Sequence, residues 1–403
     1  MKCQICNSER LAKFLSLGEQ PVPDVFLTKE QLNDNEDKYP LDVYFCEDCC
    51  LVQLGHAVDP EVLFREYHYN TATNESLKRN FKQLVESLVK KFNLSGNDLA
   101  VDIGSNDGTL LSYYIPYKVK ILGIDPSSVA DIAIKNNIPT IKDFFNEKTA
   151  EKIANQHGKA KAITATNVFA HVRDFDSFMN GVKRLLSDDG VFVTESHYLM
   201  NMIKEMQYDS IYHEHLRYYS LKPLMRLFER FGMEIFDAER ITTHGGSIRV
   251  YACYKDSHKI SQNVSEITKT EEEEGLYDKQ TFFDYGEKVS ENKTKLQQLL
   301  SDLKKKNKRI VGIGAPAKGN TLLNYCNITT DIMDYIAETS ELKISKFTPG
   351  MHIPVVPESK LFNDQPGYAL LLSWNIKDIL IPKLRGAGYK GKFIVPNPIP
   401  KII

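Results

Sequence analysis

Long hydrophobic stretches are missing from this sequence. No apolar run reaches the roughly 18 residues that span a bilayer, and the opening Met1-Lys2-Cys3-Gln4 lacks the apolar core of a secretory leader. Both absences exclude the usual membrane attachments, and the expectation is a soluble cytoplasmic chain. Excess positive charge is missing too. Lys and Arg number 51 against 53 Asp and Glu, so there is no general basic excess to neutralise phosphates, and nucleic acid is not an expected partner. Tryptophan occurs once, at Trp374. Neither a short-period repeat nor a low-complexity tract is present. Cysteine is scarce outside the N-terminal end: five of seven lie in the first fifty residues, which reads as a thiol cluster in a reducing compartment rather than a disulfide framework.

What is present suggests more than one core, since 403 residues exceed what a single one ordinarily organises. Residues 1–72 are cysteine-rich, with Pro21, Pro23 and Pro40. From Thr73 to Phe92, Leu77, Phe81, Leu84 and Leu88 recur at helical spacing. Short β-like runs then alternate with helix-compatible segments at Leu99–Ile103, Lys120–Asp125, Pro139–Lys142, Ala162–Thr166 and Val191–Glu195. That alternation predicts an α/β fold with a doubly wound parallel sheet over 73–255. The charged stretch 256–308, with Glu271–Glu274 and Lys304–Lys306, reads as solvated helices that open a third unit, 256–403. Strands at Arg309–Ile313, Met333–Ala337, Tyr368–Ser373 and Lys392–Val395 make that unit a second small α/β domain.

Cys3-x-x-Cys6 and Cys46-x-x-Cys49 supply four soft thiolates, a set suited to tetrahedral zinc. Cys50 competes with Cys49 for the last position, although the two-residue spacer favours Cys49. Four protein ligands leave no place for water, so the metal is expected to be structural.

Val101-Asp102-Ile103-Gly104-Ser105-Asn106-Asp107-Gly108 closes a strand with a glycine-rich turn, where glycine permits close approach of a ligand and dihedrals closed to other residues. Asp125, followed by Pro126, sits about twenty positions on, where a carboxylate accepts ribose hydroxyls. Asp143-Phe144-Phe145 and Asn167 follow the next two strands. The Gly-x-x-x-Gly spacing favours S-adenosylmethionine over a nicotinamide dinucleotide. Tyr212-His213-Glu214-His215 follows the fifth strand, at the edge where open sheets gather ligands. It offers a proton acceptor and groups to orient it. A metal held by His213 and His215 is the rival, without the helical His-Glu-x-x-His pattern to support it. His171 and the tyrosines of Glu66-Tyr67-His68-Tyr69 are polar groups in apolar surroundings, each compatible with a core position.

Gly314–Thr321 opens a helix after a strand, and its N–H groups with Lys318 suit a diphosphate. A second nicotinamide-type turn is the alternative. Arg249 suits a phosphate as well as a structural salt bridge, and Trp374-Asn375 suits a nucleoside base as well as packing.

Taken together, Leu17–Pro21, Tyr39–Leu41, Val101–Gly108, Tyr212–His215, Thr243-His244-Gly245-Gly246-Ser247-Ile248-Arg249 and Gly314–Thr321 resemble the S-adenosylmethionine-dependent nucleotide-sugar C-methyltransferases nearly end to end. The resemblance implies a small zinc-binding domain, a Rossmann-like methyltransferase core and a C-terminal Rossmann-like domain. It implies a nucleotide-diphosphate 4-keto-6-deoxyhexose as substrate, methylated beside the ketone, usually at C3. It makes His215 the general base, assisted by Glu214 and Tyr212, with His171 and Tyr69 as further active-site positions. Expected cofactor contacts are Asp102, Gly104, Ser105, Asn106, Gly108, Asp125, Pro126, Asp143, Phe144 and Asn167. Expected substrate contacts are Tyr67, His244, Arg249, Pro316, Lys318, Asn320, Trp374 and Asn375. A monomer is favoured. Rival readings are an O- or N-methyltransferase of a small metabolite, C5 methylation of the same sugars, and a zinc-dependent nucleic-acid module.

Overall fold

The computed structural model describes residues 1–59, 62–63 and 71–403, and three sheets organise them. Numbered along the chain, β1 (Leu11–Gln20), β2 (Tyr39–Cys46) and β3 (Val52–Leu54) form an antiparallel sheet. Alternation builds it: Leu41, Val43 and Phe45 are buried, while Asp42 and Tyr44 are only half-buried. Its fourth strand, β9 (Arg217–Tyr218), arrives from far along the chain and pairs with β3. The cysteine-rich segment therefore contributes three strands, although its sequence shows few long periodic stretches. It borrows one edge from the segment that carries the catalytic candidates.

The second sheet contains β4 (Leu99–Ile103), β5 (Lys120–Ile124), β6 (Thr140–Ile141), β7 (Ala160–Thr166) and β8 (Leu186–His197), with β10 (Met233–Ile241) and β11 (Ser247–Tyr254). Its order is β10-β11-β8-β7-β4-β5-β6. The five expected strands are parallel. The unforeseen β10–β11 pair runs antiparallel on the edge. All five residues of β4 are buried, as a strand covered on both faces requires. The helix Glu75–Phe92 leans on this sheet. Asn74 caps it by accepting the Leu77 N–H at 3.1 Å, and the periodic residues Leu77, Phe81, Leu84 and Leu88 form its buried stripe.

The third sheet contains β12 (Ile310–Ile313), β13 (Ile336–Glu338), β14 (Val355–Pro357), β15 (Tyr368–Leu371), β16 (Lys392–Val395) and β17 (Lys401–Ile402), in order β14-β13-β12-β15-β16-β17. All but β17 are parallel. Strand order reverses between β4 and β7 in the second sheet and between β12 and β15 in the third, the points where open sheets part to admit ligands.

The stretch 256–308 corrects the expectation of solvated linkers. The helix Lys279–Lys305 buries Phe282, Tyr285, Val289, Asn292, Leu296, Leu300 and Leu303, a stripe at three- and four-residue spacing. Phe282 packs on Phe14 and Phe45 of the first sheet, with ring centroids 5.2 and 4.7 Å away. Glu271 is fully buried. Its carboxylate accepts the Leu221 N–H at 2.9 and 2.8 Å and the Tyr277 hydroxyl at 2.5 Å. Among the described residues no helix is long and apolar enough to cross a membrane.

Candidate active site

The first two Cys-x-x-Cys turns meet. Cys3 Sγ lies 3.4 Å from Cys49 Sγ, Cys6 Sγ lies 3.6 Å from Cys46 Sγ, and all four sulfurs fall within 4.8 Å of one another. Tetrahedral zinc with Zn–S near 2.3 Å needs sulfur–sulfur edges of about 3.8 Å, so the four thiols fit that ion. Cys50 is turned elsewhere, toward the Tyr277 carbonyl at 3.9 Å, and Cys49 completes the group of four sulfurs.

The two switch points open onto one cavity of about 840 Å³, a size that suits small-molecule ligands. The second sheet contributes Asp102, Gly104, Ser105, Asn106, Asp125, Pro126, Phe144 and Asn167 to its wall. Gly104 has φ +69°, and a Cβ there would meet Val168 Cγ2 at 2.3 Å, so no larger residue fits. The Asp125 carboxylate accepts the Asn106 N–H and the Ser127 N–H, both at 2.9 Å, and the Ser127 hydroxyl at 2.5 Å. It thereby locks the glycine turn to the end of β5. Burial raises the Asp102 carboxyl to about 7, opposed by the hydroxyl of Thr164 at 2.5 Å.

At the centre is His215. Its Nδ1 lies 3.1 Å from the Ser210 carbonyl oxygen. A carbonyl only accepts, so Nδ1 carries the proton and Nε2 keeps the lone pair. The rings of Tyr212, His197 and His171 surround it, with centroids 4.1, 4.9 and 5.1 Å away. Burial drives the His215 imidazole well below its usual range, with repulsion from His197 and His171 adding to the effect. Burial likewise lowers His171 and His244 to about 4 and His197 to about 3. All four are therefore neutral at physiological pH.

Glu214 also lines the cavity, its carboxyl raised to about 8, first by burial and then by Asp24. The Ser210 carbonyl, not Glu214, holds the His215 Nδ1. His213 faces away from this group, its Nε2 at 3.1 Å from the Tyr39 carbonyl oxygen. The two histidines thus serve separate partners, against the rival metal pair.

The third sheet supplies Pro316, Ala317, Lys318 and Asn375. The Lys318 ammonium donates to Asn375 Oδ1, and burial lowers its pKa. His244, at φ 54°, also reaches the cavity.

Several expected contacts do not line this cavity. Arg249 is committed to a buried network with Glu195 at 2.5 Å, Glu239 at 2.7 Å and Asn80 at 2.8 Å, which is the salt-bridge alternative. Asn320 is buried and donates to the Pro23 carbonyl at 2.6 Å. Trp374 is buried and donates to Asp209 at 2.7 Å. The Asp143 carboxylate turns back to the Phe144 N–H at 2.8 Å. Gly108 shapes the turn from beneath, packed on Ala133 and Ile138. Tyr67 and Tyr69 lie outside the described residues. Conversely, His197, Asp24 and Lys343 line the cavity unforeseen. His197 ends β8, where the strand-end rule could have flagged it. The Asp24–Lys343 ion pair, at 2.7 Å, joins residues 319 positions apart and leaves no local signal.

Comparison with known proteins assigns residues 3–64 to a zinc binding domain family, 71–238 to a methyltransferase domain family and 242–398 to a C-methyltransferase C-terminal domain family. The chain is 32% identical over 405 aligned residues to the C-methyltransferase NovU of Streptomyces niveus, covering 100% of this chain and 96% of that one. Solved structures similar to it include an S-adenosylmethionine-dependent methyltransferase from Clostridium acetobutylicum ATCC 824, at 14% identity and TM-score 0.35 over 44% of this chain and 92% of that one. Another is the magnesium protoporphyrin IX methyltransferase of Synechocystis PCC 6803, at 13% identity and TM-score 0.35 over 47% of this chain and 90% of that one.

Proposed function

Because this chain belongs to the S-adenosylmethionine-dependent C-methyltransferases, we propose that its acceptor is a nucleotide-diphosphate 4-keto-6-deoxyhexose, methylated at C3 beside the ketone. S-adenosylmethionine, held by the glycine turn and Asp125, supplies an electrophilic sulfonium methyl. Carbon beside a ketone becomes nucleophilic only after it loses a proton. The observation that carries this reading is the fixed tautomer of His215, whose Nε2 lone pair is free to take that proton while Nδ1–H remains on Ser210 O.

The C–H bond breaks, Nε2 gains the proton, and the electron pair delocalises onto the ketone oxygen. Tyr212, whose ring lies beside His215 in the same cavity, would donate to that oxygen, a contribution worth about 2.7–4 kcal/mol per donor elsewhere. Burial favours the neutral carboxyl of Glu214, so it acts as a hydrogen-bond donor beside the base rather than as a second anion. Lys318 and Asn375 serve the diphosphate end. The four cysteines would hold zinc for folding alone.

The test is hydrogen exchange. Incubated in deuterium oxide, the protein should exchange the C3 hydrogen of a nucleotide 4-keto sugar, and His215→Ala should abolish both exchange and methyl transfer while still binding S-adenosylmethionine. Methyl transfer to oxygen or nitrogen, with no exchange at carbon, defeats the proposal. A product methylated at C5 corrects its position.

A further inference from the structure

The turn Tyr208–Ser210, whose last carbonyl holds His215, is itself held from the third sheet. Asp209 has no exposed surface. Its Oδ2 accepts Trp374 Nε1–H at 2.7 Å and its Oδ1 accepts Asn397 Nδ2–H at 3.3 Å. Trp374 follows β15 and Asn397 follows β16, both at the ligand edge of that sheet. The next residue, Asn375, accepts from Lys318 on the cavity wall. The neighbouring Tyr208 hydroxyl donates to Asn292 Oδ1 at 2.9 Å, and Asn292 Nδ2 donates to the carbonyls of Pro396 and Pro398 at 3.2 and 2.9 Å. Two consecutive side chains thus tie the turn to the loops after β15 and β16. Both partners of Asp209 donate hydrogens, and its two carboxylate oxygens accept one each.

We propose that Asp209 is a positioning residue that couples the ligand edge of the C-terminal sheet to the base, through Ser210 O and His215 Nδ1–H. An acceptor nucleotide seated against Lys318 and Asn375 then draws on the same loops that align the imidazole. This inference rests on His215 being the base. Misalignment of a reacting pair by about 1 Å costs roughly a hundredfold, which sets the scale of the expected effect.

The experiment compares Asp209→Leu, Asp209→Asn and Trp374→Phe in the full-length protein, with a nucleotide 4-keto sugar. Asp209→Leu should lower kcat and C3 hydrogen exchange about 10–100-fold with S-adenosylmethionine affinity unchanged. Asp209→Asn should recover most of both, since its oxygen still accepts from Trp374 and its amide can pair with a reoriented Asn397. Trp374→Phe removes one contact from the opposite side and should show an intermediate loss, which keeps the test intact if the leucine variant fails to fold. A structural role alone would lower melting temperature yet leave kcat per folded molecule at saturation unchanged, and that outcome overturns the proposal. So does wild-type exchange in Asp209→Leu and Trp374→Phe while His215→Ala has none. Exchange that survives in His215→Ala overturns instead the assignment of the base.

Discussion

His215 Nδ1 stands 3.1 Å from the carbonyl oxygen of Ser210, five residues earlier, and that single contact decides which face of the imidazole can act as a base. Ser210 offers no proton through its carbonyl, so the ring is held as one tautomer before any ligand arrives. The same cavity keeps three further histidines neutral by burial.

Burial sets the pH dependence. As the proposed base His215 must be neutral, and burial holds its pKa in the folded protein below 6.5. The acidic limb of kcat/KM should therefore fall below pH 6.5, not at it. Glu214 titrates in the opposite direction, with its neutral form favoured up to about 8. Glu214→Gln, which mimics that form, should keep kcat within about threefold at pH 7 and flatten the basic limb near pH 8. A loss of several hundredfold at pH 7 would show that the carboxylate is the working form.

Gly104→Ala meets two obstacles, a left-handed backbone and a Cβ 2.3 Å from Val168 Cγ2. The expected cost is about 2–4 kcal/mol of stability, with loss of S-adenosylmethionine binding measured by calorimetry. Adding Val168→Ala should relieve the clash but not the dihedral, so recovery should be partial.

Arg249 is a structural cation. Arg249→Met strands the fully buried Glu195, which should destabilise the fold by about 3–5 kcal/mol in urea unfolding. The folded fraction should keep its KM for the acceptor. A selective rise in that KM, with stability unchanged, would return Arg249 to the substrate site.

Metal content tests the cysteines. Purified protein should carry about one zinc, and Cys49→Ser should lose it together with thermal stability. Cys50→Ser should retain the metal, because its sulfur faces Tyr277.

Much of this was legible in the sequence because it depends on local order. The strands β4 to β8 follow from apolar runs between helical segments. The glycine turn follows from dihedrals that few other residues adopt, and the four metal ligands from paired two-residue spacers. The stripe Leu77, Phe81, Leu84, Leu88 marks a helix by periodicity alone. Arg249, beside the Gly245-Gly246 turn, and Trp374, at a strand end, each allowed a ligand contact or a structural role, and the burial of Glu195 and Asp209 favours the structural one. Glu271 misled by belonging to an acidic run whose other members stay outside the core.

The sequence by itself marked the strands β4 to β8, the four cysteines that meet and the run that brings His215 to the cavity, since short-range sterics and spacing govern all of these. Tertiary structure alone decided that the Asp24–Lys343 pair reaches the cavity, that Asp209 meets Trp374 and Asn397, and that β9 completes the first sheet. Those choices depend on contacts between residues far apart in the chain, whose energies come from burial and from pairing in a low-dielectric interior, and no local pattern encodes them.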